Sequence, residues 1–166
     1  MLRRSHSARG ATLLAQHKQK SLTTRPKKQP QFINASEESQ RVEVGNMFQP
    51  RHGYPARPEQ IQSVVDLLND RTSFLLAGTG FGKSRVPEMY YHAHETTSAP
   101  IILCINPLDA LGDDQVSEKE AVDLRAINLT GENCTQDACD SILLGDFVFV
   151  YVVMCSSLGI QMISCV

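Results

Sequence analysis

The sequence lacks paired cysteines. None of its five cysteines forms a Cys-x-x-Cys pair, and none has a histidine at the spacing of a zinc ligand set. They are Cys104, Cys134, Cys139, Cys155 and Cys165. Free thiols in a reducing compartment are therefore expected. The histidines give no metal site either, because His92 and His94 are two positions apart and would point to different faces of a helix.

Acidic residues are absent from the first 30 positions, which hold eight of the 16 Lys and Arg residues. All 18 acidic side chains follow, so a basic arm precedes an acidic body. The arm has little apolar content and is predicted to be disordered. Residues 31–52 are polar with little periodicity and indicate a linker. We therefore expect a disordered basic arm and linker over residues 1–47.

Several functions fit the basic arm. No apolar core follows its first arginines, so no secretory signal is predicted. The run Arg25-Pro26-Lys27-Lys28 is typical of a nuclear signal and favours the nucleus. A mitochondrial presequence is also Arg- and Ser-rich and poor in acids. A phosphate-binding tail fits the composition as well, and so does a solvated leader without a role.

Charge is absent from the last 20 residues, 147–166. This length could span a bilayer, so a tail-anchored membrane protein is an alternative. Polar and small residues dilute the second half, however, and no Lys or Arg flanks the segment. We therefore prefer no membrane partner. Those diluting residues are Ser156, Ser157, Gly159, Gln161 and Ser164.

A glycine-rich segment at residues 77–84 contains the main chemical signal. A dinucleotide fingerprint fails there because its third glycine would fall on Lys83. A kinase glycine flap fails because its last glycine comes one residue early. A glycine-rich surface turn without a ligand is the non-functional interpretation of the segment.

The phosphate-binding loop fits this segment best, in the variant that begins with alanine. Backbone N–H groups would surround the phosphates of ATP, with Lys83 on the terminal phosphates and the Ser84 hydroxyl on Mg²⁺. The predicted nucleotide-binding residues are Ala77, Gly78, Thr79, Gly80, Phe81, Gly82, Lys83 and Ser84.

The segments around the loop predict an α/β fold. Residues 73–77 are apolar and predict a short buried strand, and a helix should follow Lys83. Pro87 predicts a kink or a delayed start of that helix. Before the loop, Pro58 opens a helix with Glu59 in its first turn. Its apolar residues follow helical spacing, and Asn69 and Asp70 end it. Those apolar residues are Ile61, Val64, Val65 and Leu68.

The second half alternates strands and helices. Residues 100–106 form a continuous apolar run that predicts a parallel strand covered on both faces. Further strands are expected at 125–129 and 147–153, with helices at 113–124 and 135–146. Alternation of this kind predicts right-handed crossovers and a mostly parallel sheet with flanking helices.

Four ordered segments resemble the first RecA-like domain of a RecQ-type DNA helicase of superfamily 2. They are GYPARPEQ (53–60), AGTGFGKS (77–84), NPLDALGDDQV (106–116) and GDFVFVYV (145–152). The likeness covers about residues 50–152. It implies a partial RecA-like, P-loop NTPase domain over residues 48–153, with a divergent tail at 154–166.

The resemblance also assigns roles to individual residues. It implies that Arg57 and Gln60 recognise adenine. It places the segment 107–116 near single-stranded or forked DNA, through Pro107, Leu108, Asp113 and Gln115. From their charge alone, Asp113 and Asp114 indicate only a helix N-terminus. The implied activity is ATP-driven 3′ to 5′ unwinding.

The departures from the family matter as much. Asn106 replaces the family's serine, and neither Ser-Pro-Glu nor the Asp-Glu-x-His box occurs in the printed sequence. The box orients Mg²⁺ and the attacking water, and phosphoryl transfer depends on such positioning. We therefore expect ATP binding without a complete catalytic set, Lys83 being the only phosphate-stabilising residue. A non-catalytic nucleotide- or DNA-binding decoy is a further alternative.

Overall fold

A computed structural model describes residues 25–98 and 100–153 of the 166-residue chain. They divide into two compact units, residues 26–100 and a second unit described over 101–153. The described chain is α/β, with five α-helices and one three-stranded parallel sheet. This confirms the coarser part of the prediction, an α/β fold with a parallel sheet. The basic residues before Arg25 and the tail at 154–166 lie outside the described residues.

The first unit is helical. It contains α1 (Glu37–His52), α2 (Pro58–Leu68) and α3 (Arg85–His92), with short 3₁₀ turns at Pro30–Phe32 and Thr96–Ser98. Its core is built from Phe32 and apolar residues of all three helices. The buried members are Phe32, Val44, Phe48, Val64, Val65, Leu68, Val86, Met89 and Ala93.

Helix α1 replaces the linker that we expected over residues 31–52. Its N-terminus is capped by Ser36, whose hydroxyl accepts from the Ser39 N–H at 3.2 Å. Val44 and Phe48 lie one turn apart and are fully buried. The prediction was wrong because only this narrow stripe is apolar, which leaves the helix polar on average. Two apolar side chains per two turns are enough when neighbouring helices cover them.

Helix α2 is confirmed. It begins at Pro58 and carries Glu59 in its first turn, and Val64, Val65 and Leu68 are buried. Asn69 is its C-cap, and Asp70 continues in the left-handed region with φ 57°. The amphipathic spacing in the sequence therefore located a real core helix.

The predicted strand at residues 73–77 is absent. The segment makes no ladder with any described strand, and Phe74 and Leu76 are 89% and 86% exposed. Leu75 packs against the helical core instead. A strand forms only where a partner supplies the other half of its hydrogen bonds, and local hydrophobicity does not provide one.

Helix α3 begins at Arg85, directly after the Gly-Lys-Ser sequence. Pro87 therefore falls in the first turn, where its missing N–H would have no helical partner. The delayed start that we predicted is confirmed.

The second unit contains β1 (Ile102–Asn106), α4 (Asp109–Glu120), β2 (Ala126–Leu129), α5 (Gln136–Leu143) and β3 (Phe149–Val153). The spatial order is β1-β3-β2 and both pairings are parallel. Asn106 is in register with Val153, and Asn128 with Tyr151. Both asparagines therefore lie on the same face of the sheet, close to the carboxyl ends of their strands.

Two expectations for this unit were wrong. Strand β1 is not covered on both faces, because Leu103 and Ile105 are 62% and 61% exposed at the edge of the sheet. Helix α4 begins at Asp109, which moves Asp113 and Asp114 out of the first turn and into the second. The chain enters this helix from the extended residue Leu108, a boundary that the charge pattern alone did not reveal. Helix α5 and the positions of β2 and β3 are confirmed.

The apolar segment 147–166 is described only in part. Its residues Phe149–Val153 form β3, the central strand of the sheet, and its last 13 residues lie outside the described part. None of the helices that the structure describes has the length and hydropathy to cross a membrane.

Candidate nucleotide-binding loop

The glycine segment forms an open loop between the core segment at Leu75 and helix α3. Gly80 and Gly82 have φ of 78° and 85°, conformations that L side chains rarely adopt. Gly78 and Gly80 have open space where a side chain would stand, and the loop is exposed from Gly78 to Gly80. The glycines thus give the turn its shape and leave its outer side accessible.

Several backbone N–H groups in the loop have no acceptor among the described residues. In this part of the chain, the amides of Thr79, Gly80, Gly82, Lys83 and Ser84 donate to no protein atom, whereas that of Phe81 donates to the Gly78 carbonyl at 3.4 Å. Successive unpaired amides around a glycine turn form a concave, positively polarised site that suits an anion. The loop therefore provides the donors that phosphate oxygens require.

The Lys83 ammonium lies across the same loop. Its Nζ donates to the carbonyls of Ala77 and Gly78, at 2.8 Å each. The ammonium is therefore held by neutral acceptors on an exposed surface, and among the described residues it has no carboxylate partner. A phosphate would be a stronger, charge-assisted acceptor for it.

Gln60 connects helix α2 to the loop. Its Nε2 donates to the carbonyls of Phe81 and Gly82 at 3.1 and 2.9 Å, and its Oε1 accepts from the Arg57 N–H at 2.8 Å. The side chain is almost fully buried, with 2% exposure. A Cβ on Gly82 would lie 2.7 Å from the Gln60 amide nitrogen. The positive φ of Gly82 thus favours glycine, and a Cβ there would have to displace the Gln60 amide.

Arg57 contacts the loop through the ring of Phe81. Its guanidinium lies 4.7 Å from the centre of the Phe81 ring, a cation–π distance at an exposed site. The structure therefore brings Arg57, Gln60 and the loop together, and the adenine contact that the resemblance implies for these two residues stays a prediction. The contacts differ from the prediction in one respect, since both ends of the Gln60 amide are occupied by the protein.

Ser84 precedes helix α3 as its N-cap, and its side chain makes no capping hydrogen bond. Mg²⁺ commonly keeps several waters and takes one or two protein ligands beside the phosphates, so a single hydroxyl at this position fits the ion. Among the described residues no cluster of three or more His, Cys, Asp or Glu side chains is arranged to hold a metal.

The helix that follows the loop, α3, contains a buried carboxyl group. Glu88 is 2% exposed, and its two oxygens are 3.0 Å from His52 Nε2 and 3.1 Å from Arg85 Nη1. The His52 ring stacks on Phe48 with centroids 4.1 Å apart. This network ties the end of α1 to the start of α3. The sequence analysis did not identify it, because nothing in the spacing of the three ionisable residues distinguishes them from surface residues.

The predicted nucleic-acid segment lies in the second unit. Pro107 and Leu108 are exposed in the link between β1 and α4, and Leu108 is 66% exposed. Gln115 is half-buried on the helix. Asp113 directs one carboxylate oxygen to Asn128, whose Nδ2 lies 2.9 Å away. The segment therefore presents an apolar and polar surface, while Asp113 holds α4 to the sheet.

The charge of this unit is strongly acidic. Residues 101–153 hold ten acidic side chains against Lys119 and Arg125. Lys119 is 1% exposed, with its ammonium 5.4 Å from the centre of the Phe149 ring. Arg125 lies 3.7 Å from Asp146. Phosphate contacts dominate nucleic-acid affinity, so the described part of this unit offers few of them.

The second unit contains two buried side-chain amides whose burial the sequence analysis did not predict. Asn106 and Asn128 are 7% and 6% exposed, and Asn106 Nδ2 and Asn128 Oδ1 have no hydrogen-bond partner in the described structure. The available signal was an asparagine within each of two apolar strands, where a polar residue is unusual. Buried polar atoms without partners are rare and require an explanation.

Two titratable groups away from the loop are shifted by burial. Burial lowers the pKa of His94, whose Nδ1 lies 2.8 Å from the Tyr90 carbonyl. Burial also raises the pKa of the Cys104 thiol, which disfavours the reactive thiolate. Within the described part of the chain, Cys104, Cys134 and Cys139 form no disulfide.

Comparison of this chain with protein-family models and with curated proteins finds no match.

Proposed function

We propose that this chain binds ATP with Mg²⁺ through the loop at residues 77–84. The observation that carries the proposal is the row of loop amides without protein acceptors among the described residues, together with the Lys83 ammonium held by two carbonyls. These groups would bind the β- and γ-phosphates. The two left-handed glycines keep the amides accessible, and the Ser84 hydroxyl would complete the coordination of Mg²⁺.

The nucleotide base would lie towards Arg57 and Phe81. An exposed guanidinium and an aromatic ring next to the phosphate site provide flat surfaces for a purine. Gln60 would contribute in two ways, by shaping the loop through its carbonyl contacts and, once released, by reading the adenine edge. The first role follows from its contacts, and the second rests on the resemblance to RecQ-type helicases.

We further propose that the chain is the ATP-binding part of a RecQ-like DNA helicase that binds nucleotide without turnover. The ordered segments at 53–60, 77–84, 106–116 and 145–152 support the class. The parallel sheet with flanking helices is compatible with a partial RecA-like domain. Single-stranded DNA would meet Pro107, Leu108 and Gln115, and the basic residues 1–30 would supply the phosphate contacts that the acidic second unit lacks.

The phosphate loop is tested by displacement of a fluorescent ATP analogue from the full chain. Unlabelled ATP and inorganic tripolyphosphate should both displace the analogue in the presence of Mg²⁺, because the loop recognises the phosphates. Lys83→Ala should weaken binding by about tenfold to a hundredfold, from loss of charge-assisted hydrogen bonds. The matched control is Arg51→Ala, which removes an exposed cation of the same unit outside the basic residues 1–30 and should leave binding unchanged.

A phosphate-release assay with single-stranded DNA addresses turnover. We expect none above the buffer rate for the 166-residue chain, because the sequence has no Asp-Glu-x-His box. Robust hydrolysis that Lys83→Ala abolishes would contradict the proposed lack of turnover while supporting nucleotide binding.

A further inference from the structure

The start of helix α4 is fixed by one buried side chain. Asn128 Nδ2 donates to the Asp109 carbonyl at 3.1 Å and to the Asp113 carboxylate at 2.9 Å. These two acceptors lie one helical turn apart, so a single amide holds the first two turns of α4. Asn128 itself is 6% exposed and belongs to strand β2.

The contact is too close for any residue but glycine at position 112. A Cβ on Gly112 would overlap the Asn128 amide. Gly112 is buried within helix α4. Glycine in a helix interior costs roughly 1 kcal/mol relative to alanine. Gly112 therefore lowers the helix propensity of α4 and allows the helix backbone to approach the Asn128 amide.

Asn128 is itself anchored at the end of its strand. Its carbonyl accepts from Asn133 Nδ2 at 2.7 Å, while the Asn133 Oδ1 accepts from the Thr130 N–H at 2.8 Å. The amide thus projects from a backbone that is held on both sides. Its own Oδ1 has no partner in the described structure, so the side chain is retained at the cost of a buried, unsatisfied acceptor.

From these contacts we propose that Asn128 is a positioning residue for the segment 107–116. It fixes the direction in which α4 leaves the sheet, and so the placement of the exposed Pro107–Leu108 link and of Gln115. The inference rests on the proposed contact of that segment with single-stranded DNA. Asn128 would not touch the DNA itself, because it lies in strand β2 and not in the segment 107–116.

Asn128→Asp is the sharpest change, because it keeps the shape and removes the donor. It also places a second carboxylate beside Asp113. The double variant Asn128→Asp with Asp113→Asn reverses the polarity of the pair and restores one of its two hydrogen bonds. Gln136→Glu is the matched control, since it introduces the same charge at the exposed first residue of α5 and leaves the contacts of Asn128 and Asn133 in place.

Hydrogen exchange of the full chain, with and without a (dT)₁₅ oligonucleotide, reads out the role directly. In the wild type, DNA should protect amides of residues 107–116. In Asn128→Asp that protection should disappear and the Kd should rise about tenfold, with partial recovery in the double variant. Binding of the ATP analogue to the loop and exchange in β3 should stay unchanged, which a general loss of folding would not allow.

Three outcomes would overturn the proposal. Equal protection of 107–116 in the wild type and in Asn128→Asp would show that the amide does not position the segment, and the DNA contact would stand. No protection in the wild type would remove the proposed DNA contact and the role of Asn128 with it. Equal losses in Asn128→Asp and Gln136→Glu would assign the effect to added negative charge in this unit in general.

Discussion

The two units differ in how their polar groups are used. In the helical unit, the loop amides face outwards without acceptors among the described residues, while the side chains behind them, Gln60 and Glu88, are bonded inside the protein. The sheet unit shows the reverse arrangement. Among its described residues, the polar atoms without partners are buried and belong to Asn106 and Asn128, whereas the apolar side chain of Leu103 is exposed. Donors that are accessible and preorganised suit a ligand. Buried polar atoms without partners instead reflect a constraint within the fold.

The largest expected difference between the units is in packing. Leu68 is fully buried in the helical core, whereas Leu103 is mostly exposed on β1. Leu68→Ala should lower the free energy of unfolding by about 3 kcal/mol, from lost burial and the cavity left behind. Leu103→Ala should change it by less than about 0.5 kcal/mol. Urea denaturation of both variants checks this, and equal effects would mean that the exposed strand face is covered in solution.

A smaller effect is expected for the glycine that touches Gln60. Gly82→Ala should destabilise the protein by about 1–2 kcal/mol, because L residues resist positive φ. It should also abolish binding of the ATP analogue, since a Cβ would displace the Gln60 amide. Gly53→Ala is the control, for Gly53 has φ 74° and open space around it. Nucleotide binding that survives Gly82→Ala would show that this contact does not shape the site.

Substitution of Gln60 distinguishes its two proposed roles, which are shaping the loop and recognising the adenine base. Gln60→Ala removes two hydrogen bonds to the loop carbonyls, an effect of about 1 kcal/mol each. Tripolyphosphate has no base, yet its affinity should fall in this variant if Gln60 shapes the loop. Unchanged tripolyphosphate affinity with weaker ATP binding would instead confine Gln60 to the adenine. Gln62→Ala, two positions along the same helix, should affect neither ligand.

The smallest effect concerns the surface ion pairs between α1 and α2. Arg71 lies 2.7 Å from both Glu37 and Asp66, and these hydrogen bonds lower the pKa of each carboxyl. A lowered folded-state pKa stabilises the protein above the ordinary carboxyl range. That contribution is lost as the pH falls below about 4.

Arg71→Ala should therefore flatten the fall in stability between neutral and acidic pH by a small amount, because the pairs are exposed and screened. Thermal unfolding at pH values of about 7, 5 and 3.5, which bracket the ordinary carboxyl range, measures the change. An identical pH profile in the variant would show that these ion pairs do not contribute.

The sequence predicted the parts that depend on local chemistry. The stripe from Ile61 to Leu68 identified α2, because helical spacing is a local property. Residues 77–84 identified the loop, because the positive φ of Gly80 and Gly82 favours glycine. The prediction failed where distant partners decide, as in the strand expected at 73–77 and the linker expected over 31–52, where α1 forms. The role of Asn128 was not predictable for the same reason, since its acceptors lie 15 and 19 positions away.

The central claim is that the loop at 77–84 binds the triphosphate of ATP. Calorimetric titration of Mg·ATP into the folded full chain, beside Lys83→Ala, tests it most directly. We expect saturable binding that requires Mg²⁺ and that is at least about tenfold weaker in the variant. Absence of binding by demonstrably folded protein, or equal affinity in Lys83→Ala, would contradict the claim.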